Sequence, residues 1–425
     1  MLDALVIGAG MAGVAAARAL SRSGLSVAIV EGRDRVGGRV YSVRDFCGAP
    51  VEGGAEFVHT NDAEIWPEIR DAHLAVRACP LTRNSMFNLG GRTLWLPWIL
   101  LHPAVWPSFA ILRQIRRVGP DDMSARTFIE RHGFRGRARV MAEMTLTAHL
   151  PGSIDEVGVR GLIEDRVLNL ETGSYHRLAS GYDTLIAHMS RGLDIRFGFT
   201  VETIRWAADG VHVSANDGRG LSARAAISTL PFGVLKAGRV QFTPELPESK
   251  RAAFTRIEAG PVSKVLLQFA EPFWPRWLSN LGCGTGPATL YWPVFYGAED
   301  QPAALTAYCT GPRALRLSKL SEGEAVDVVL ADLQRLFPKS NPRQALIRAR
   351  RIDWGNDPLA HGGYTFLRPG GCGARTQLAA ADTGALLWAG SATATSTIAD
   401  TVQAAYTSGL RAADEAQRFL GALQN

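Results

Sequence analysis

The stretch that decides the fold is "MLDALVIGAGMAGVAAARALSRSGLSVAIVEGRDRVGGRV", residues 1–40. A short apolar strand begins at Ala4 and leads into a glycine-rich turn, after which an alanine-rich helix extends to about Ser23. A second apolar strand then ends at Glu31. The succession of strand, glycine turn, helix, strand and acid is typical of a βαβ unit that binds a dinucleotide.

Each glycine of the turn has its own physical task. Gly8 permits the tight turn, Gly10 lets the backbone approach a pyrophosphate, and Gly13 lets the helix pack closely on the strand. The backbone N–H groups at the helix start, at Met11 and Ala12, then face the phosphates. We therefore expect these five residues to hold the phosphates of a dinucleotide.

The residues after the second strand narrow the choice of dinucleotide. Glu31 is placed to accept hydrogen bonds from an adenosine ribose, which suits NAD as well as FAD. The following "EGRDRVGGRV" resembles the Glu-x-Arg-x-Arg-x-Gly-Gly-Arg segment of the flavin-containing amine oxidases. The resemblance implies FAD contacts for Arg33, Gly38 and Arg39, with Arg39 supporting the pyrophosphate.

The segment "VEGGAEFVHTND" (51–62) resembles the part of these enzymes that passes beside the flavin ring. The resemblance places four residues along the ring, namely Gly54, Ala55, Glu56 and Phe57. It also places His59 near the substrate amine, although a surface loop histidine is the ordinary interpretation. The Gly-Pro-Met-Arg stretch of L-amino-acid oxidases is missing, which argues against an amino-acid substrate.

Two carboxy-terminal segments fit the same family. "WGNDPLAHGGYTFLRPG" (354–370) implies a cofactor contact for Trp354 and places Tyr364 over the reacting flavin face. "LLWAGSATATSTIADTVQAAYTSGLRAADEA" (386–416) has a turn at Gly390 and a helix from about Val402, whose positive end would point at the flavin pyrimidine.

The same segments depart from the family at several positions, among them Asp400 and Gln403 in place of a glycine and a histidine, and three of the departures bear on the cofactor or the amine. Ser391 stands where an acid that contacts the cofactor is usual, and Gly363 stands where monoamine oxidases attach FAD through a cysteine. Thr401 stands where those enzymes have a second tyrosine, as it does in the lysine-specific histone demethylases. We therefore expect non-covalent FAD, and an aromatic cage in which Tyr364 supplies a single wall worth about 1 kcal/mol.

Lys264 lies in "AGPVSKVLLQF" (259–269), an apolar strand with Val265, Leu267 and Phe269 on one face. A solvated or edge-strand lysine is the ordinary interpretation. However, the flanks over 225–275 resemble the family almost element by element, and in most relatives this lysine holds a water at flavin N5. The resemblance therefore implies that role for Lys264.

The chemistry implied is hydride transfer from the amine-bearing carbon to flavin N5. The imine would then hydrolyse to an aldehyde, and O2 would reoxidise the flavin and give H2O2. The substrate amine reacts in its neutral form, so no strong base is needed. The alternatives are a protoporphyrinogen-oxidase-like or carotenoid-desaturase-like dehydrogenase of the same fold, and a flavin-binding protein without amine turnover.

The fold class implied is α/β, a two-domain flavoprotein with a Rossmann-like nucleotide-binding domain and an α+β substrate domain that carries an antiparallel sheet. The FAD domain would be discontinuous, formed by 1–80, 195–255 and 370–425, and Val201 would contact the adenine side through its backbone. Residues 80–195 and 255–370 would form the substrate domain.

Composition limits the remaining function classes. The net charge of +6 comes without a Lys/Arg block, so we expect no nucleic-acid partner. Five scattered cysteines without a Cys-x-x-Cys pair argue against a disulfide scaffold and a metal site, and they suit a reducing compartment. The amino terminus has no basic region or cleavage site, so we expect no signal peptide and a cytoplasmic protein. The oligomeric state stays open.

The segment "LWLPWILLHPAVWPSFAILRQIRR" (94–117) is strongly apolar, and its prolines interrupt any single helix. It is interpreted as a cap over the substrate cavity, as an interfacial membrane contact, or as a dimer surface. A cap lined by Trp95, Trp98 and Trp106 would favour an apolar or aromatic amine. Acidic residues that could bind the distal charge of a polyamine are Glu143, Glu164 and Asp165, each expected at the surface instead.

Overall fold

The computed structural model describes residues 1–80, 84–148, 150–171, 174–298 and 300–423. Within these ranges an eight-stranded and a seven-stranded sheet form the body of the protein, and helices cover both. The α/β class predicted from the sequence is confirmed. The predicted domain boundaries stay a prediction.

The first sheet is built on a parallel core. Leu2–Ile7 pairs in parallel with Val27–Val30 on one side and with the end of Gly220–Ser228 on the other. Residues 4–7 and 28–30 of these strands are apolar and buried because elements cover both faces of the sheet. The strands lie in the order Asp194–Arg196, Val27–Val30, Leu2–Ile7, Gly220–Ser228, Gly210–Ala215, Val201–Ala207 and Gln241–Thr243, with Leu386–Trp388 also beside Gly220–Ser228.

The first and last long helices, Met11–Arg22 and Val402–Ala422, pack closely on one another. Small residues make this possible, since a Cβ at Gly409 would collide with the carbonyl oxygen of Ala12. Both helices begin at the edge of the sheet where the parallel strands end. Their positive ends therefore face the same space.

The second sheet is largely antiparallel and contains the lysine strand Val262–Phe269. This strand is not at an edge, because Leu346–Asp353 and Ala303–Thr310 pair with its two sides. Val265, Leu267 and Phe269 pack into one core, as their alternation predicts. The strands lie in the order Leu346–Asp353, Val262–Phe269, Ala303–Thr310, Leu290–Pro293, Asn280–Cys283, Ser85–Asn88 and Thr93–Trp95.

Three small sheets complete the strand inventory of the described ranges. They pair Ile257–Gly260 with Tyr364–Leu367, Ser42–Val43 with Val51–Glu52, and Tyr175–Leu178 with both Val58–His59 and Val76–Cys79.

Besides Met11–Arg22 and Val402–Ala422, the described chain forms further α-helices and three 3-10 helices. The α-helices are Trp66–Asp71, Leu96–Leu100, Trp106–Phe109, Ile111–Ile115, Ala125–Arg131, Gly136–Thr147, Val159–Glu164, Asp183–Met189, Phe232–Lys236, Glu248–Arg256, Gly311–Leu317, Glu322–Leu336, Pro342–Ala345 and Ala374–Ala379. The 3-10 helices are Pro103–Val105, Val167–Glu171 and Ser391–Thr393. Across the described ranges, none of the helices combines the length and the apolar character that crossing a membrane would require.

Candidate active site

A single cavity of about 960 Å³ joins the glycine turn to the second sheet. Its volume is at the upper end of the range of about 300–1,000 Å³ for ligand pockets. Every residue predicted to serve the site lines it, apart from Gly13. The lining members are Gly8, Gly10, Met11, Ala12, Glu31, Arg33, Gly38, Arg39, Gly54, Ala55, Glu56, Phe57, His59, Val201, Lys264, Trp354, Tyr364, Gly390, Ser391, Thr401 and Val402.

The glycine turn has the geometry of a phosphate cradle. Gly8 has a φ of +105°, which only glycine adopts without strain, and a Cβ at Gly13 would collide with the Gly8 carbonyl oxygen. Glu31 accepts from the N–H of Ala9 at 2.8 Å and from the N–H of Arg33 at 2.9 Å. The acid therefore joins the turn to the end of the second strand, beside the cavity.

The middle of the cavity is shaped for a flat ring. A Cβ at Gly54 would collide with the carbonyl oxygen of Arg39, so backbone lies directly against backbone there. Trp354 is buried and donates its indole N–H to the Gly53 carbonyl at 3.0 Å. The helix Val402–Ala422 begins at this point, with Thr401 as its cap. The cradle, the flat slot and the positive helix end together fit FAD.

Ser391, the position without the usual acid, lies beside another carboxylate. Its hydroxyl donates to Asp400 at 2.8 Å and accepts from Arg39 at 3.0 Å. Asp400 has a φ of +55°, and its second oxygen accepts from the Thr365 N–H at 3.1 Å. Sequence reasoning missed Asp400, because the family pattern has no acid at that position.

Asp165 was expected at the surface, and this prediction is wrong. Its side chain is 3% exposed and forms a two-pronged pair with Arg375, at 2.6 and 2.8 Å. Burial raises the pKa of Asp165, and only a guanidinium in direct contact makes its position in the core tolerable. Glu164 is exposed, as predicted, and Glu143 is half-buried and paired with Arg139.

Lys264 is not a solvated lysine, since only 4% of it is exposed. Its ammonium donates to Glu56 at 2.7 Å and to the carbonyl oxygen of Glu52 at 3.0 Å. The indole ring of Trp292 lies 5.3 Å from it. The strand therefore delivers a charged group to the cavity wall only because a buried carboxylate meets it there.

Aromatic side chains line the same part of the cavity in greater number than the sequence suggested. Tyr364 and Tyr308 are hydrogen-bonded to each other, and burial raises the pKa of both. Tyr308 also packs against Trp292 at 5.4 Å. His59 lies at the cavity in edge contact with Tyr175, at 5.2 Å. The strand alternation of Ala303–Thr310 was the signal that could have identified Tyr308.

The segment 94–117 forms part of the cavity wall, but not with the expected residues. Trp95, Trp98 and Trp106 are 40%, 63% and 56% exposed and do not line the cavity. The lining residues of the segment are Leu96, Ser108, Ile111 and Leu112. A tryptophan-lined cap is therefore wrong, because the three indole side chains lie on the solvent side of the segment and not on its cavity side.

Comparison with known proteins gives the site a family. Residues 11–417 match the model of the flavin-containing amine oxidoreductases. Polyamine oxidase 4 of Oryza sativa subsp. japonica is 31% identical and covers 97% of this chain and 88% of its own length. Lysine-specific histone demethylase 1B of Mus musculus is 28% identical and covers 98% of this chain and 53% of its own length.

Solved structures share the fold at lower identity. Putrescine oxidase bound to putrescine superposes with a TM-score of 0.84 at 21% identity, over 98% of this chain and 99% of that one. Cyclohexylamine oxidase from Brevibacterium oxydans IH-35A superposes with a TM-score of 0.84 at 19% identity, over the whole of both chains.

The cofactor is FAD, held without a covalent bond, and among the described residues that line the cavity there is no cysteine that could attach it. Because the family model spans nearly the whole chain and the glycine cradle, the ring slot and the lysine line one cavity, the chain belongs to the flavin-containing amine oxidoreductases and is an FAD-dependent enzyme acting on CH–NH groups.

Proposed function

We propose that the protein oxidises an apolar or aromatic amine with O2 as electron acceptor. The observation that carries the proposal is the continuity of one cavity from the glycine cradle, past Lys264 and Tyr364, into an apolar chamber. The chamber residues are Phe87, Leu96, Ile111, Leu112, Met141, Met144, Leu150, Val167, Leu170 and Leu290. Such a lining binds a hydrocarbon group and excludes water.

FAD held by the glycine cradle and Arg39 would supply the hydride acceptor for the amine-bearing carbon and would return the electron pair to O2, so that a primary amine, O2 and water would become an aldehyde or ketone, ammonia and H2O2. The chain's own residues orient the substrate for this step. The rings of Tyr364 and Tyr308 line the cavity beside Lys264, and an aromatic ring attracts an amine as it acquires positive charge. Lys264 supplies a fixed positive charge beside the site of oxygen reduction. His59 is the polar group for the amine end.

The carboxylates that line the cavity already have partners or lie away from the chamber, which favours an apolar monoamine over a polyamine as the substrate. Five described carboxylates line the cavity. Glu31 is bound to backbone, and Glu56, Asp165 and Asp400 are bound to cations or hydroxyls. Glu202 is exposed beside the predicted adenine contact Val201. Among the side chains that the structure describes, a polyamine's distal ammonium would therefore meet no carboxylate free to pair with it in the chamber.

The test is anaerobic mixing of the yellow holoprotein with benzylamine, cyclohexylamine, putrescine and spermidine, with benzyl alcohol as the control. We expect the flavin band to bleach with the first two amines and H2O2 to form when air is admitted. The rate should rise with pH through ionisation of the substrate amine, because the neutral form reacts.

Bleaching by spermidine alone would contradict the apolar assignment. Bleaching by none of the amines would favour a protoporphyrinogen-oxidase-like or carotenoid-desaturase-like dehydrogenase, or a flavin-binding protein without amine turnover.

We also propose that the outer face of 94–117 contacts an anionic membrane surface. Trp98, Leu101 and Trp106 are more than half exposed there, and Trp95 packs on the exposed Trp277 at 5.5 Å. From 72 to 120 the chain has no Asp or Glu but has the arginines Arg77, Arg83, Arg92, Arg113, Arg116 and Arg117. Exposed tryptophans beside a purely basic segment suit the interface of an anionic bilayer.

We propose two further properties, the cellular location of the protein and the boundaries of its domains. The scattered cysteines support a cytoplasmic location. The FAD domain would consist of 1–80, 195–255 and 370–425, with the rest forming the substrate domain, because the parallel sheet and the lysine sheet draw most of their strands from these two sets.

A further inference from the structure

The carboxylate of Glu56 accepts hydrogen bonds from side chains of three different strands. The residue is 5% exposed. One carboxylate oxygen accepts from Lys264 at 2.7 Å, and the other accepts from Arg177 Nε and from the Trp292 indole, each at 2.9 Å. Each donor stands on a different strand, so the carboxylate ties the lysine strand to two neighbouring elements.

The cluster around Glu56 contains more positive than negative charge. Two cations, Lys264 and Arg177, share one carboxylate, which leaves a net charge of +1 in a buried wall. Burial alone would raise the pKa of Glu56, but the two ion pairs outweigh burial and hold its pKa below the ordinary value. Arg177 is further held by the Phe57 ring at 4.9 Å and by the Pro293 carbonyl at 3.3 Å.

The side chain of the neighbouring Glu52 does not bind Lys264 or Arg177. Its oxygens accept from the Tyr182 N–H at 2.7 Å and from the Ser42 hydroxyl at 2.8 Å, and burial raises its pKa to about 8. Glu52 is therefore mostly protonated at neutral pH, and it is the backbone carbonyl of Glu52 that accepts from Lys264. This makes its side chain a matched control for Glu56.

We propose that Glu56 is a positioning residue that, with Arg177 as its second cation, fixes the ammonium of Lys264 at the cavity wall. An ammonium has three N–H donors. Glu56 and the Glu52 carbonyl take two, so the direction of the third, toward the cavity, is set by the protein. The inference rests on the proposed function in one respect, namely that Lys264 acts at the flavin during oxygen reduction.

The test measures the rate at which O2 reoxidises the bound flavin. The flavin is first reduced with light, so no amine substrate is needed. We expect Lys264→Met to slow reoxidation at least tenfold, since it removes a fixed charge from the reacting centre. Glu56→Gln should slow it about three- to tenfold, because a loosely held ammonium is misplaced. Glu52→Gln should stay within about twofold. The double variant Glu56→Gln/Lys264→Met should be no slower than Lys264→Met alone, as expected of residues acting through one another.

A charge-matched variant separates position from charge. Glu56→Gln/Arg177→Met keeps the net charge of +1 and avoids an unpaired buried guanidinium, so it also serves if Glu56→Gln folds poorly. We expect it to reoxidise as slowly as Glu56→Gln. Normal reoxidation in this variant, or effects of Glu56 and Lys264 that multiply, would overturn the proposal.

The amine assignment can fail separately. A wild-type protein that oxidises no amine, but whose variants show the expected reoxidation pattern, would overturn the amine assignment and keep the role of Glu56. Normal reoxidation in Lys264→Met would overturn the role of Glu56 and that of Lys264 in oxygen reduction, whether or not the protein oxidises amines.

Discussion

The hydroxyl of Ser391 donates a 2.8 Å hydrogen bond to Asp400, whose carboxylate lies 3.9 Å from the guanidinium of Arg39. The position that lacks an acid in the sequence thus has a carboxylate beside it in space. Arg375 lies 3.4 Å from the other oxygen of the same carboxylate. Asp400 therefore orients Arg39, the arginine expected to support the FAD pyrophosphate.

Asp400→Asn should weaken FAD binding about tenfold, because it removes a charged hydrogen-bond acceptor from the group that orients Arg39. The measurement is titration of apoprotein with FAD, followed by quenching of flavin fluorescence. Asp155→Asn, at an exposed ion pair with Arg126, is the control and should leave the affinity unchanged. Equal affinities for both variants would contradict the assignment.

Glu52 makes stability depend on pH. Its pKa in the folded protein is raised by burial from the ordinary 4.5 to about 8. Between these values the folded state holds a proton that the unfolded chain releases, so its contribution to stability falls as pH rises from about 4.5 to about 8. Glu52→Gln should remove a loss of roughly 4 kcal/mol over this window.

The measurement is urea unfolding of both proteins at pH 5, 6.5 and 8. Wild type should lose stability toward pH 8 more steeply than Glu52→Gln. Parallel pH profiles for the two proteins would contradict a buried, neutral carboxyl at this position.

Trp98→Ser/Trp106→Ser should weaken binding to vesicles that contain phosphatidylglycerol about tenfold or more, since both side chains are exposed beside the arginines. Co-sedimentation measures the binding, and wild-type binding should fall as salt is raised. Leu315→Ser, at an equally exposed apolar residue on another helix, is the control. If the tryptophan variant instead converts a dimer to a monomer in gel filtration, the face is a dimer surface.

Several features were predictable because they are local. The glycine turn needs only a few neighbouring residues. The first strand was predicted from Ala4 and begins at Leu2, the helix predicted to end at about Ser23 ends at Arg22, and the helix predicted from about Val402 begins there. The alternation around Lys264 correctly separated its two faces. Short-range backbone sterics and the period of the apolar residues suffice for such features.

Other features were wrong or missed because they join distant parts of the chain. Asp165 is buried only because Arg375, 210 residues later, reaches it. The outward direction of Trp98 depends on how the short helices around it dock, which periodicity does not specify. Tyr308 is a different case, because the alternation of its strand Ala303–Thr310 is a local signal that could have identified it.

The sequence by itself determined the dinucleotide cradle, the slot for a flat ring and the strand that carries the lysine, because glycine conformations and side-chain alternation are written into neighbouring residues. Only the tertiary structure decided that Lys264 is buried and which groups hold it. Glu56 and Arg177 come from segments 208 and 87 residues away, and the free energy of a buried ammonium depends on what surrounds it in space.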